Sequence, residues 1–134
     1  MTQLFTDTSA NLPIGLALQH KIKILPFSYT VNGVEQPYDP TVEFNGPAYY
    51  RSGGTSGTAG AAAAAAAELQ AEFPNQKIKV VDTLAASLGE GLLVLRAARL
   101  LEKGKPFEAV LADALTQRKT LCQYFVVDSL EHLY

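Results

Sequence analysis

The sequence predicts an α/β layered domain with a largely parallel sheet flanked by helices. Short apolar stretches ending in Asp and a small hydroxyl residue recur at Leu4-Phe5-Thr6-Asp7-Thr8, Val80-Val81-Asp82-Thr83 and Phe125-Val126-Val127-Asp128-Ser129. Segments with helical spacing separate them, and strands alternating with helices favour parallel pairing. In such a domain ligands gather beyond the carboxyl ends of the strands, so the three Asp-hydroxyl pairs mark where a site would lie.

The elements follow in order. The first strand is expected over Gln3 to Thr6. Asp7-Thr8-Ser9-Ala10-Asn11-Leu12-Pro13 then supplies hydroxyl and carboxamide caps followed by Pro in a first helical turn, and Ile14 to Gln19 makes a short helix. Ile22 to Val31 reads as an extended run bent at Pro26, and Asn32-Gly33 is a two-residue hairpin signal leading to Val34 and Glu35. Gln36 to Pro47 is rich in Pro and Gly and reads as loop or edge.

Arg51 to Gly60 concentrates glycine and hydroxyl residues and runs into Ala61 to Ala67. Alanine is the best helix former, so a helix is expected here, although methyl side chains bury little area. No functional residue is assigned to the alanines. Lys77 to Val81 is expected as a central strand, being short and apolar. Ser87 to Lys103 is the clearest helix, with Leu88, Leu92, Leu95 and Leu101 at helical spacing and Gly104 closing it. Pro106 to Leu121 is a second amphipathic helix carrying Phe107, Val110, Leu111, Ala114 and Leu115 on one face. Tyr124 to Val127 is the last expected strand.

Composition narrows the function. The chain has 134 residues, 48% hydrophobic and 18% charged, which suits one soluble domain with a core and leaves no room for a second full domain. A net charge of −2 with scattered basic residues gives no footprint for nucleic acid and no polybasic stretch for an anionic membrane. The one cysteine, Cys122, excludes an internal disulfide and a multi-cysteine metal site, in keeping with a reducing cytoplasm, and reads as a small buried apolar residue. No run approaches the ~18 apolar residues of a membrane span, and the N-terminus lacks the order of a signal peptide. Phosphate-binding, dinucleotide-binding and nucleophile-elbow motifs are absent, so the chain is expected to bind and not to catalyse, with no cofactor.

Four motifs carry a resemblance: Asp7 to Pro13; Ser56-Gly57-Thr58; Val81-Asp82-Thr83 with Ser87-Leu88-Gly89-Glu90-Gly91-Leu92-Leu93-Val94; and Tyr124 to Leu133. Together and in this order they resemble the DegV family over nearly the whole chain, in the part that corresponds to its N-terminal α/β domain. The resemblance implies a long-chain fatty acid held in a tunnel between two domains and, in some members, its carboxylate presented to a separate fatty acid kinase. The sequence departs from the family in two places. The stretch that members carry between the segment like Phe44 to Arg51 and the Ser-Gly-Thr turn, with its Thr-Ser-Gln-Pro-like loop, is absent, and the chain stops at Tyr134, where members continue into a second domain. Residues 1–134 are therefore expected to form a single α/β domain, with an internal segment and the second domain missing.

The ligand-binding residues expected on these grounds are Ser56, Thr58, Ser52, Asp7 and Thr83. Ser56 and Thr58 lie in a Gly-flanked turn that opens the alanine helix, where hydroxyls and free N–H groups suit an anion. By resemblance, Ser52 matches the first of two serines preceding the Ser56 position, whereas Gly53 stands where the second is usual. Each residue also has a structural reading. Ser-Gly-Thr before a helix serves as an N-cap, Asp7 and Asp82 cap the turns that follow them, and Ser87 with Glu90 forms a capping box. His20 and His132 lack ligands at metal spacing, which leaves them surface or packing roles. Gly89 and Gly91 admit close approach of the sheet or of an acyl chain. A fatty acid carrier is the main functional reading. A domain that binds or transforms a phosphorylated small molecule, and a purely structural domain, are the alternatives.

Overall fold

The computed structural model describes residues 1–26, 28–31, 34–37, 59–124 and 126. Strand β1 (Phe5–Asp7) pairs in parallel with β2 (Lys23–Leu25), with Phe5 opposite Lys23, Thr6 opposite Ile24 and Asp7 opposite Leu25. The crossover between them is a 3-10 turn (Thr8–Ala10) and helix α1 (Ile14–Gln19). The first strand thus starts two residues later than expected and ends one later, so that Asp7 is its last residue and not the residue after it.

Two left-handed residues shape this crossover. Asn11, at φ 46°, ends the 3-10 turn. Lys21, at φ 53°, sits where the Ile22 N–H reaches back to the Ala17 carbonyl at 2.8 Å and the Lys21 N–H to that of Leu18 at 3.2 Å. That is a Schellman termination with lysine in the place glycine usually takes.

The extended run continues, past Pro26, into β3 (Ser28–Val31), which pairs antiparallel with β4 (Val34–Pro37) in the register Val31 opposite Val34. The Asn32-Gly33 turn signal falls between those two paired ends, and residues 32 and 33 themselves lie outside the described residues. So does all of the Pro-rich stretch after Pro37.

Helix α2 (Ala59–Glu72) contains the alanine tract, as its composition predicts. Past its end the Gln70 side chain holds the chain that follows: Nε2 donates to the Gln76 carbonyl at 2.6 Å and Oε1 accepts from the Ile78 N–H at 3.1 Å. Residues 77–81, expected as a central strand, pair in no ladder among the described residues, and Val80 is exposed. A carboxamide takes the bond from Ile78 that a neighbouring strand would have taken. Of the expected last strand, Tyr124 and Val126 are described, exposed and unpaired among the described residues, and 125 and 127 lie outside them.

Helix α3 (Leu88–Glu102) buries Gly89, Gly91, Leu93, Val94, Ala97 and Ala98. It ends as expected at Gly104, φ 74°, with a glycine Schellman cap in which the Lys105 N–H bonds to the Leu100 carbonyl at 3.0 Å. Helix α4 (Phe107–Gln117) begins just after Pro106 and lies against α3, buries Val110, and is tied to α3 by the Arg96–Asp113 pair. The core brings Val94 and Ala98 of α3 onto Ala17 and Ile22, with Leu4, Leu12, Ile24 and Leu95 around them. The helices on this parallel pair make the fold α/β. Cys122 is exposed, contrary to the expectation of burial, because it follows α4 in a segment without regular structure.

Candidate functional site

The carboxyl end of β1 meets the N-terminal turn of α3, and polar groups converge there. Asp7 caps the 3-10 turn as its sequence position suggests: its Oδ1 accepts from the Ser9 N–H at 2.8 Å and lies 2.5 Å from Ser9 Oγ. The buried Thr6 hydroxyl donates to Glu90 Oε1 at 2.8 Å, and Ser9 Oγ lies 3.0 Å from Glu90 Oε2. Burial pushes the Glu90 carboxyl above its ordinary range and the negative charge of Asp7 adds to this, while the hydrogen bonds with Thr6 and Ser9 act the other way.

Glu90 therefore does not complete a capping box. Ser87 precedes α3 at φ 51°, ψ −125°, a backbone geometry that makes no side-chain cap bond. Its Oγ instead accepts from Asn11 Nδ2 at 2.6 Å, a second tie between the β1 turn and α3. The approach is close because Gly91 allows it. A Cβ on Gly91 would stand 2.7 Å from the Ala10 carbonyl oxygen, so what this glycine admits is the backbone of the turn after β1. A Cβ on Gly89 would collide with the Gln123 carboxamide.

Gln123 shapes the other side. Its Oε1 accepts from the Ala86 N–H at 3.0 Å and its Nε2 donates to the Ala86 carbonyl at 2.7 Å, a two-point hold of the kind strands exchange. In the same loop Asp82 Oδ1 accepts from the Leu84 N–H at 3.0 Å, Thr83 Oγ1 donates to the Ala85 carbonyl at 3.3 Å, and Arg118 Nη1 donates to the Asp82 carbonyl at 2.8 Å. Leu84, at φ 56°, and Leu88 and Leu92 are 60–66% exposed, the latter two one turn apart on the face of α3 away from Glu90. A shallow groove of ≈ 270 Å³ runs between α2 and the chain that Gln70 holds, lined by Ala63, Ala66, Ala67, Ile78 and Val80 among others.

Of the residues expected from sequence, Asp7 lies in the cluster and Thr83 in the adjoining loop, each bonded to its own surroundings. Ser52, Ser56 and Thr58 lie outside the described residues. Sequence reasoning did not pair Glu90 with Thr6 and Ser9. The available signal was a lone carboxylate between two glycines in a helix otherwise buried on that face.

The family model for "Uncharacterised protein, DegV family" matches residues 48–134, the larger part of the chain. The chain belongs to the DegV family. A DegV domain-containing protein of Clostridium perfringens is 43% identical over 82 residues, and one of Lactococcus lactis is 44% identical over 85 residues; each match takes in 61% of this chain and 28% of the relative. Among solved structures, a DegV family protein from Thermus thermophilus, described for its fatty acid binding, is 28% identical with a TM-score of 0.62, over 87% of this chain and 53% of that one. The fatty-acid-binding DegV of Bacillus subtilis superposes with a TM-score of 0.67 at 15% identity, over 87% of this chain and 53% of its own, a likeness of fold. This DegV chain thus spans just over a quarter of the length of the curated relatives it matches and about half that of the solved structures. Among the described residues no helix is long and apolar enough to cross a membrane.

Proposed function

We propose that this DegV chain forms one wall of a binding site for a long-chain fatty acid, and that it binds the acid without transforming it. The observation that carries this reading is the 28% identity to the fatty-acid-binding Thermus protein over 87% of this chain. The exposed apolar side chains of Leu84, Leu88 and Leu92 are in keeping with it, because an acyl chain needs apolar surface and each methylene it buries contributes about 0.8 kcal/mol. The carboxylate is assigned to the serine-bearing segment that precedes α2 in the sequence, with Ser56 as its principal ligand and Thr58 and Ser52 as further ligands. Asp7 and Thr83 hold the loops in which they themselves lie. On this reading the protein works in the cytoplasm and presents the acyl carboxylate to a fatty acid kinase.

Mass spectrometry of organic extracts from the purified protein, followed by titration with oleate, tests the reading. A bound long-chain acid is expected. Ser56→Ala should weaken binding by about 1–3 kcal/mol, the range for a hydrogen bond to a charged group, or roughly 5- to 150-fold in Kd. Unchanged affinity removes Ser56 from the site. A protein that carries no acid and takes up no oleate overturns the proposal, and a recovered phosphate ester would point to the phosphorylated-ligand alternative.

A further inference from the structure

We propose that Asp7, Ser9 and Glu90 share one proton, so that Glu90 stands as a neutral carboxylic acid and clamps the first turn of α3 onto the turn after β1, a clamp that opens when the proton leaves. Ser9 Oγ lies within bonding distance of two carboxylate oxygens, 2.5 Å from Asp7 Oδ1 and 3.0 Å from Glu90 Oε2. A hydroxyl has one hydrogen to give, and an ionised carboxylate only accepts. One of the two contacts therefore needs a proton carried by a carboxyl group.

The proton belongs on Glu90. Asp7 Oδ1 already accepts the Ser9 N–H at 2.8 Å, which sets that oxygen in an accepting role. The shorter contact then runs from the Ser9 hydroxyl to Asp7. Glu90 Oε2–H donates to Ser9 Oγ, while Glu90 Oε1 accepts from the buried Thr6 hydroxyl at 2.8 Å. Every donor then has an acceptor. Burial and the Asp7 charge press the Glu90 carboxyl in the same direction.

No cation among the described residues bonds to either carboxylate. On α3 itself, Arg96 is paired with Asp113 of α4 and Glu102 with His20. Near the loop, Lys77 is paired with Glu108 of α4 and Arg118 with the Asp82 carbonyl. On β2, Lys23 lies over the Phe5 ring. Loss of the shared proton leaves two carboxylates around one hydroxyl hydrogen, at a junction where Gly91 already lies close against the Ala10 carbonyl. Because the Glu90 pKa is raised by folding, the stabilisation is complete below the pKa of an unfolded glutamate and is lost as pH rises through the folded value.

The test is a carbon-detected NMR titration of the Glu90 side-chain carboxyl in the intact chain, assigned through its own methylenes, with amide hydrogen exchange at Ala10 and Gly91 followed over the same pH range. The midpoint is expected above the ordinary glutamate value of about 4.3, with exchange at both amides, corrected for intrinsic rates, rising as that midpoint is passed. Glu90→Gln offers the same acceptor to Thr6 and the same donor to Ser9 as the carboxylic acid, so it should hold the clamp closed and abolish the rise. A midpoint at or below the ordinary value overturns the proposal, whether or not the variant folds. An exchange step that survives in Glu90→Gln overturns it as well.

Discussion

Gly91→Ala should destabilise the protein, although alanine is the better helix former. The new Cβ would stand 2.7 Å from the Ala10 carbonyl oxygen, where a comfortable carbon-to-oxygen contact needs about 3.3–3.6 Å. Either α3 or the turn after β1 must therefore move by about 0.6–0.9 Å. The obstacle is backbone and cannot swing away like the end of a side chain. Overpacking of this kind costs about 1–3 kcal/mol, offset by about 1 kcal/mol of helix propensity gained, so a net loss of about 1 kcal/mol is expected. With a urea slope of about 2 kcal/mol/M, the unfolding midpoint would fall by about 0.5 M. Gly15→Ala in α1 is the matched control, since no heavy atom of the described residues lies within 4 Å of its added Cβ, and it should raise the midpoint through propensity alone. If Gly91→Ala proved as stable as the parent while Gly15→Ala behaved as expected, the close approach of α3 to Ala10 would be refuted.

Two further substitutions probe the frame around the site. Lys21→Gly relieves a left-handed lysine, φ 53°, in a glycine position without removing a side-chain hydrogen bond to any of the described residues, and should stabilise by about 0.5–1 kcal/mol in the same urea assay; a loss of stability would contradict the cap geometry. Arg96 holds the Asp113 carboxyl below its usual range through a two-point contact at 2.6 and 2.8 Å. That pair therefore stabilises above the ordinary aspartate pKa of about 3.9 and fades as pH falls through the depressed folded value. Arg96→Ala should open a stability gap at pH 7 that closes on acidification, and a gap of constant size from pH 7 to pH 3 would rule the pair out as its source.

Local chemistry made much of the architecture legible in the sequence. Helical spacing and Gly104 place α3 to within a residue or two, Pro106 marks the start of α4, and the Asp7 turn and the Asn32-Gly33 signal bracket the first strands. These features depend on neighbours within a few positions, which periodicity and capping report directly. The strand expected at 77–81 failed on the same ground: an apolar run specifies extended chain but not a partner, and here Gln70 takes the bond from Ile78. The family motifs were legible too, and they carried the functional reading. Only the tertiary structure could join Glu90 to Thr6 and Ser9 across 84 and 81 positions, turn Ser87 towards Asn11, and set Gly91 against the Ala10 carbonyl. Contacts at such separations follow from how α3 settles on the β1–α1–β2 core, and no spacing within a single segment encodes that docking.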